Sequence, residues 1–150
     1  MSHFCVTIDI QAPPERVIAV LRDVEKWPEW TPTVSSAQRL DQGPFRVGSK
    51  ARVLQPKLRP ATWEVTELDD RSFTWITRNP GLLTVAEHMA EPLEKGSRVT
   101  LALTFSGFLA PVIARIYRDL NQRYLATEAE GLRKRCEGET APALIRGARG

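Results

Sequence analysis

Read for its alternation of apolar and polar positions, the chain divides into a strand, two short helices, six further strands and one long helix. Phe4, Val6, Ile8 and Ile10 alternate with Cys5, Thr7 and Asp9, the period-two pattern of a strand buried on one face. Pro13-Pro14-Glu15 then opens a helix, because proline is tolerated in the first turn and an acid favours the positive end of the helix dipole. Val17, Val20, Leu21 and Val24 supply its apolar stripe, which predicts a helix over Pro14 to Arg22. Asp23 can cap a second helix from Val24 to about Trp30, kept short by Pro28 and Pro32.

From Val34 onward short alternating runs are separated by turn residues, and strands are predicted at about Val34 to Leu40, Val47 to Gln55, Ala61 to Leu68, Phe73 to Arg78, Leu83 to Glu91 and Ser97 to Ser106. The links are too short for parallel crossovers, so neighbours must pair antiparallel. After Ser106-Gly107 the period changes to that of a helix. Leu109, Ile113, Ile116, Leu120 and Tyr124 fall on one face, Arg115, Arg118 and Gln122 lie opposite, and one long helix is predicted from about Phe108 or Leu109 to Cys136. Helices segregated from an antiparallel meander define an α+β domain. Burying a large side chain stabilises by roughly 1.5–3 kcal/mol, so helix and sheet are driven together. A single helix cannot cover a strongly curved seven-stranded sheet, and a cavity is the expected result.

Composition changes this picture little. With 150 residues, 42% apolar and 26% charged, the chain is an ordinary globular domain with room for a core. The formal charge of +3 matters more for where it resides: Lys and Arg outnumber Asp and Glu by 8 to 5 from Phe108 onward and balance at 13 to 13 before it. No arginine–aromatic pattern of a nucleic-acid module accompanies that excess, so no nucleic acid is expected, and the basic helix face reads first as a solvated one. Cys5 and Cys136 stand far apart, outside any CxxC or Cys/His spacing, so neither a disulfide nor a metal site is expected. Phosphate-loop, dinucleotide and nucleophile-elbow motifs are absent, and no cofactor is expected. With no apolar run of membrane-spanning length and no leader-like N-terminus, the expected location is cytoplasmic.

Several strings in this order resemble a known group. They are Ile10 to Val17 (IQAPPERV), Leu21 to Trp30 (LRDVEKWPEW), Val47 to Ser49 (VGS), Trp63 to Glu67 (WEVTE), Phe73 to Trp75 (FTW), Gly96 to Thr100 (GSRVT) and Ser106-Gly107. The chain resembles the SRPBCC or START-like superfamily, in its polyketide cyclase/dehydrase-like branch. The resemblance implies a helix-grip fold, in which a curved sheet of seven strands wraps a long C-terminal helix, with residues 1–137 as one domain and 138–150 as a flexible tail. It implies a hydrophobic small molecule held between sheet and helix, which some members cyclise or dehydrate and many only bind.

The candidate site residues follow from position. Tyr117, Asn121, Tyr124 and Glu128 fall within an arc of about 60° on the long helix, so two phenols, an amide and a carboxyl could face a pocket or lie along the sheet edge. Trp63, Phe73 and Trp75 line that pocket if they point inward, with Trp27 and Trp30 at its rim. His88 and Glu128 are the groups able to move protons there, as base or acid. Along the His88 strand, Leu83, Val85 and Met89 form the more apolar set and predict the core face. His88 shares the other parity with Thr84, Ala86 and Ala90, and a shift of one residue reverses the assignment.

Three functions are consistent with these residues. The first is binding of a lipid-like or polyketide-like molecule in the cavity. The second is a cyclase or dehydratase using His88 and Glu128 in that cavity. The third is an interaction module working through Arg115, Arg118 and Arg133. Oligomeric state is not legible, and a homodimer is compatible with the pattern.

Overall fold

The computed structural model describes residues 2–138. Its elements are β1 (Ser2–Ile10), α1 (Pro14–Arg22), a 3₁₀ turn (Val24–Glu29), β2 (Ser36–Arg39), β3 (Lys50–Leu54), β4 (Ala61–Leu68), β5 (Ser72–Asn79), β6 (Leu82–Leu93), β7 (Gly96–Ser106), α2 (Ala110–Ile116) and α3 (Arg118–Gly138). The seven strands form one antiparallel sheet in the order β1-β7-β6-β5-β4-β3-β2. β2 to β7 are a continuous meander, and β1 closes it by pairing with β7 from Ser2 opposite Phe105 to Ile10 opposite Ser97. A register shift between Val65 and Glu67 in β4 adds local twist, which helps the sheet curl. This is the α+β helix-grip architecture expected from the sequence.

Local chemistry accounts for the junctions. At the start of α1, the Pro13 carbonyl accepts from the Arg16 and Val17 amides at 3.0 and 3.2 Å, so the first turn closes without a side-chain cap. Gly107 joins β7 to α2 with φ of 104°, and a Cβ there would collide with the Gly81 carbonyl. The same carbonyl accepts the Leu109 amide at 2.9 Å, so the β5–β6 turn seats the start of α2. The core lies between the sheet, α1 and α3, and its most buried members include Ile10, Val17, Leu21, Val65, Phe73, Val99 and Leu132.

The single long helix expected after Gly107 is two helices, with Tyr117 between them at φ −101° and ψ 16°. Of the stripe read from Leu109 to Tyr124, only Leu120 is fully part of the seat. Ile116 is 67% exposed, whereas Leu120, Leu125, Ala129, Leu132 and Cys136 of α3 are buried. The second predicted helix is the 3₁₀ turn, with Pro28 inside it. Cys5 is exposed and Cys136 is buried. Among the described residues no helix is long and apolar enough to cross a membrane. Of the expected tail, residues 139–150 lie outside those described, and Gly138 ends α3.

Candidate functional site

A cavity of about 550 Å³ lies between the inner face of the sheet and the two C-terminal helices. Its volume falls in the range of small-molecule pockets. Trp63 on β4 and Trp75 on β5 form the central sheet wall, their rings stacked at 5.5 Å. Leu101 and Leu103 extend that wall along β7. From the 3₁₀ turn Trp27 reaches in beside Trp75 at 5.5 Å and the His88 ring at 5.6 Å, fixed by its indole N–H donating to the Leu21 carbonyl at 3.0 Å. On the helical side Ile113, Tyr117, Asn121, Tyr124, Leu125 and Glu128 complete the enclosure. The exposed Arg59, Pro60, Asn79 and Pro80 mark the end that opens to solvent.

His88 points inward. On β6 the buried residues are Thr84, Ala86, His88 and Ala90, while Met89 is 41% exposed, so the core face is the opposite of the one that apolar content favours. The reason is the cavity itself, because small residues face a space that large ones would fill. The imidazole stacks on Phe73 at 4.5 Å, and its Nδ1 lies 2.9 Å from the Phe73 carbonyl oxygen. A carbonyl only accepts, so Nδ1 carries the proton and Nε2 is left as an acceptor or base. Burial pushes the His88 pKa down to about 4, against the opposing effect of the Phe73 bond, so the ring is neutral at pH 7.

Glu128 occupies the same wall two turns beyond Asn121. Its Oε1 accepts from the Thr33 hydroxyl at 3.0 Å, and Thr33 Oγ1 lies 2.9 Å from Thr31 Oγ1, so two buried threonines orient the carboxyl. Desolvation pushes the Glu128 pKa up to about 7, only partly offset by the Thr33 bond. Near neutral pH this group can hold or give up a proton. Tyr124 lines the cavity with its ring, but its hydroxyl donates to the Pro56 carbonyl of the β3–β4 loop. Burial raises its pKa further, so the phenol stays protonated. Asn121 is 6% exposed, and its Nδ2 has no hydrogen-bond partner among the described residues. Leaving a buried donor unsatisfied costs about 1–3 kcal/mol, and a bound acceptor would relieve that cost.

Of the residues singled out in the sequence, Trp63, Trp75, His88, Tyr117, Asn121, Tyr124 and Glu128 lie on the wall. Two do not. Phe73 is fully buried behind His88, packed between it and Phe45 at 5.1 Å, and Trp30 is buried under α3 where Gly131 meets its carbonyl. Both support the wall instead of forming it. Thr31, Thr33, Thr77 and Thr84 were not singled out. The last two were legible in principle, because an inward His88 requires an inward Thr84, and Thr77 is its cross-strand partner. The Glu128 contact with Thr33 spans the domain and has no local signature. Among the described residues no cluster of three metal-ligating side chains occurs.

Residues 1–137 match the family described as polyketide cyclase / dehydrase and lipid transport. Among solved structures, TTHA0849 from Thermus thermophilus superposes with a TM-score of 0.74 at 18% identity, over 92% of this chain and 99% of that one. The Zhui aromatase/cyclase from a Streptomyces species gives 0.73 at 17% identity, over 91% and 93%. The di-domain ARO/CYC BexL from the BE-7585A biosynthetic pathway gives 0.68 at 19% identity, over 89% of this chain and 45% of that one. At these identities the likeness is one of fold. The sequence matches none of the curated proteins.

Proposed function

We propose that this chain, which belongs to the polyketide cyclase / dehydrase and lipid transport family, binds a polyketide-like or lipid-like hydrophobic molecule in the cavity between the sheet and α3. The observation that carries this reading is the cavity itself: about 550 Å³, walled by three indoles and several leucines, with His88, Asn121 and Glu128 among the polar groups that interrupt them. A volume of that kind costs packing energy when empty and is what a folded core ordinarily removes. Native mass spectrometry and thermal shift, with a panel of polycyclic aromatics and long-chain acids, test the reading. A one-to-one adduct and a rise in Tm are expected. Ala86→Phe should remove both while the secondary structure persists, because it fills the space from the centre of the sheet. Undiminished binding to the filled variant would sink the proposal.

A second reading, cyclisation or dehydration, is favoured by one specific feature: His88, Tyr124 and Glu128 line the same volume. His88 Nε2 would remove a proton from a carbon between two carbonyls, and the resulting carbanion would attack a third carbonyl to form a carbon–carbon bond. Glu128, in its protonated form, would hand a proton to the alkoxide. A correctly placed acid or base contributes about 10²–10⁴ in rate. His88→Gln should therefore slow aromatic-ring formation from a linear poly-β-ketone about a hundredfold or more, with little change in affinity. Equal turnover by the variant would leave binding as the function.

A further inference from the structure

The end of the sheet where the cavity opens carries features that neither the core nor the cavity uses. It is formed by the β3–β4 loop, the β5–β6 turn and the segment from Gly107 into α3, which bring Arg59, Pro60, Asn79, Pro80 and Leu109 to the opening. Among the described residues eight large hydrophobic side chains are exposed, and four of them, Phe108, Leu109, Val112 and Ile116, fall within nine consecutive positions at this end. At 100° per residue Leu109, Val112 and Ile116 share an arc of about 60°, while the buried Ala110 and Ala114 lie on the other side of α2. The helix thus turns its large apolar residues outward and seats itself with alanines, the reverse of an ordinary amphipathic surface helix. Phe108 extends the outward stripe. Its ring rests on Gly81, which has no side chain to cover it, and it stays 81% exposed. Single exposed hydrophobics are common, but a cluster of them with a polar rim marks an interaction site.

The rim is basic. Residues 55–60, 78–81 and 107–123 hold six of the chain's 21 Lys and Arg but one of its 18 Asp and Glu, so these stretches carry +5 while all other residues together carry −2. Lys57, Arg59, Arg78, Arg115, Arg118 and Arg123 are exposed, and among the described residues none of them forms a salt bridge. Positive charge and apolar surface therefore coincide where the interior opens to solvent. A side chain as exposed as Phe108 projects from the surface. A fluid bilayer accepts projecting apolar groups without a matching recess, which a folded partner would have to provide.

We propose that this end of the chain docks on an anionic lipid bilayer. Phe108, Val112 and Ile116 enter the boundary between head groups and acyl chains, and Lys57, Arg59, Arg115 and Arg118 reach the charged head groups along their aliphatic stems. The cavity mouth then faces the membrane, so a hydrophobic molecule can pass between bilayer and cavity without crossing water. Docking goes beyond the ligand-binding reading and does not rest on it. Vesicles are titrated with no small molecule present, so either can fail alone.

Flotation of the full chain with vesicles tests it, comparing phosphatidylcholine alone with phosphatidylcholine containing about 30% phosphatidylglycerol. Binding to the anionic vesicles should exceed binding to the neutral ones by about tenfold or more, and should fall steeply as salt rises from about 0.1 to 0.5 M. Phe108→Ser combined with Val112→Ser and Ile116→Ser should weaken it by about tenfold or more, with the circular dichroism spectrum unchanged because these side chains are exposed. Arg115→Gln with Arg118→Gln should weaken it by about tenfold or more. Arg71→Gln with Lys95→Gln, the same loss of charge in the turns at the other end of the sheet, should weaken it by no more than about twofold. Equal losses from the two charge pairs, or undiminished binding by the triple serine variant, overturn the proposal. So does failure to bind the anionic vesicles, including the case in which polyglutamate binds instead and the patch serves an acidic protein.

Discussion

α2 and α3 follow one another with only Tyr117 between them, yet they relate to the rest of the molecule in opposite ways. α2 buries Ala110 and Ala114 and leaves Val112 53% and Ile116 67% exposed, while Phe108 just before it is 81% exposed. α3 is far more polar in sequence but buries Leu120, Leu125, Ala129, Leu132 and Cys136, and it presses Gly131 against the Trp30 carbonyl. Apolar content therefore does not decide which helix is seated. The decisive factor is where the curved sheet, β1 and α1 offer a complementary surface, and they offer it to α3.

That contrast predicts a steep gradient of mutational effects. Leu132→Ala, at a fully buried position, should cost about 2–5 kcal/mol in urea unfolding, since it removes apolar burial and leaves a cavity. A loss under 1 kcal/mol would mean that α3 is not the seat. Gly131→Ala should cost about 1–3 kcal/mol, despite alanine's better helix propensity, because its Cβ would meet the Trp30 carbonyl. On α2, Ile116→Ser should change stability by no more than about 0.5 kcal/mol. A large loss there would erase the distinction between the helices.

Between these extremes lie two titrations that oppose each other. The Glu128 pKa rises from 4.5 to about 7 on folding, so its favourable contribution is complete below pH 4.5 and lost as pH rises through 7. The His88 pKa falls from 6.5 to about 4, so its contribution is complete above pH 6.5 and lost as pH falls through 4. In the overlap, from pH 4.5 to 6.5, the two slopes cancel in the native chain. Relative to it, Glu128→Gln should gain stability with rising pH across the range from 4.5 to 7, and His88→Gln should lose it from 4 to 6.5. Each change should amount to about 1–3 kcal/mol in urea midpoints measured across pH. Parallel pH profiles for the native chain and both variants would show that neither group is desolvated.

The same comparison explains what could be read from the sequence. β4 and α1 have the residue limits that alternation and the Pro14 start signal predict, since a turn or proline bounds each one. The break at Tyr117 was hidden because the Tyr117 amide still bonds the Ile113 carbonyl at 3.0 Å and the Asn121 amide bonds the Tyr117 carbonyl at 2.8 Å. Helical spacing survives such a break, so periodicity counts one helix. The inward face of β6 departs from apolar content for a different reason: the rule that the more apolar face is the buried one assumes a filled core. Where the sheet faces a cavity, Ala86 and His88 point inward, and Val85 and Met89 are the residues left outside. Alternation supplies the two faces of a strand, and only the volume behind the sheet determines which face is inner.

The pairing of β1 has a consequence for the order of assembly. β1 is made before the other described elements, but among the described residues its only strand partner is β7, at the far end of the meander, and the helix that packs on it, α3, comes later still. Loop-closure entropy makes such distant pairings slow to form. An early strand is thus among the last to be satisfied, and until then its apolar Phe4, Val6 and Ile8 must wait unpaired.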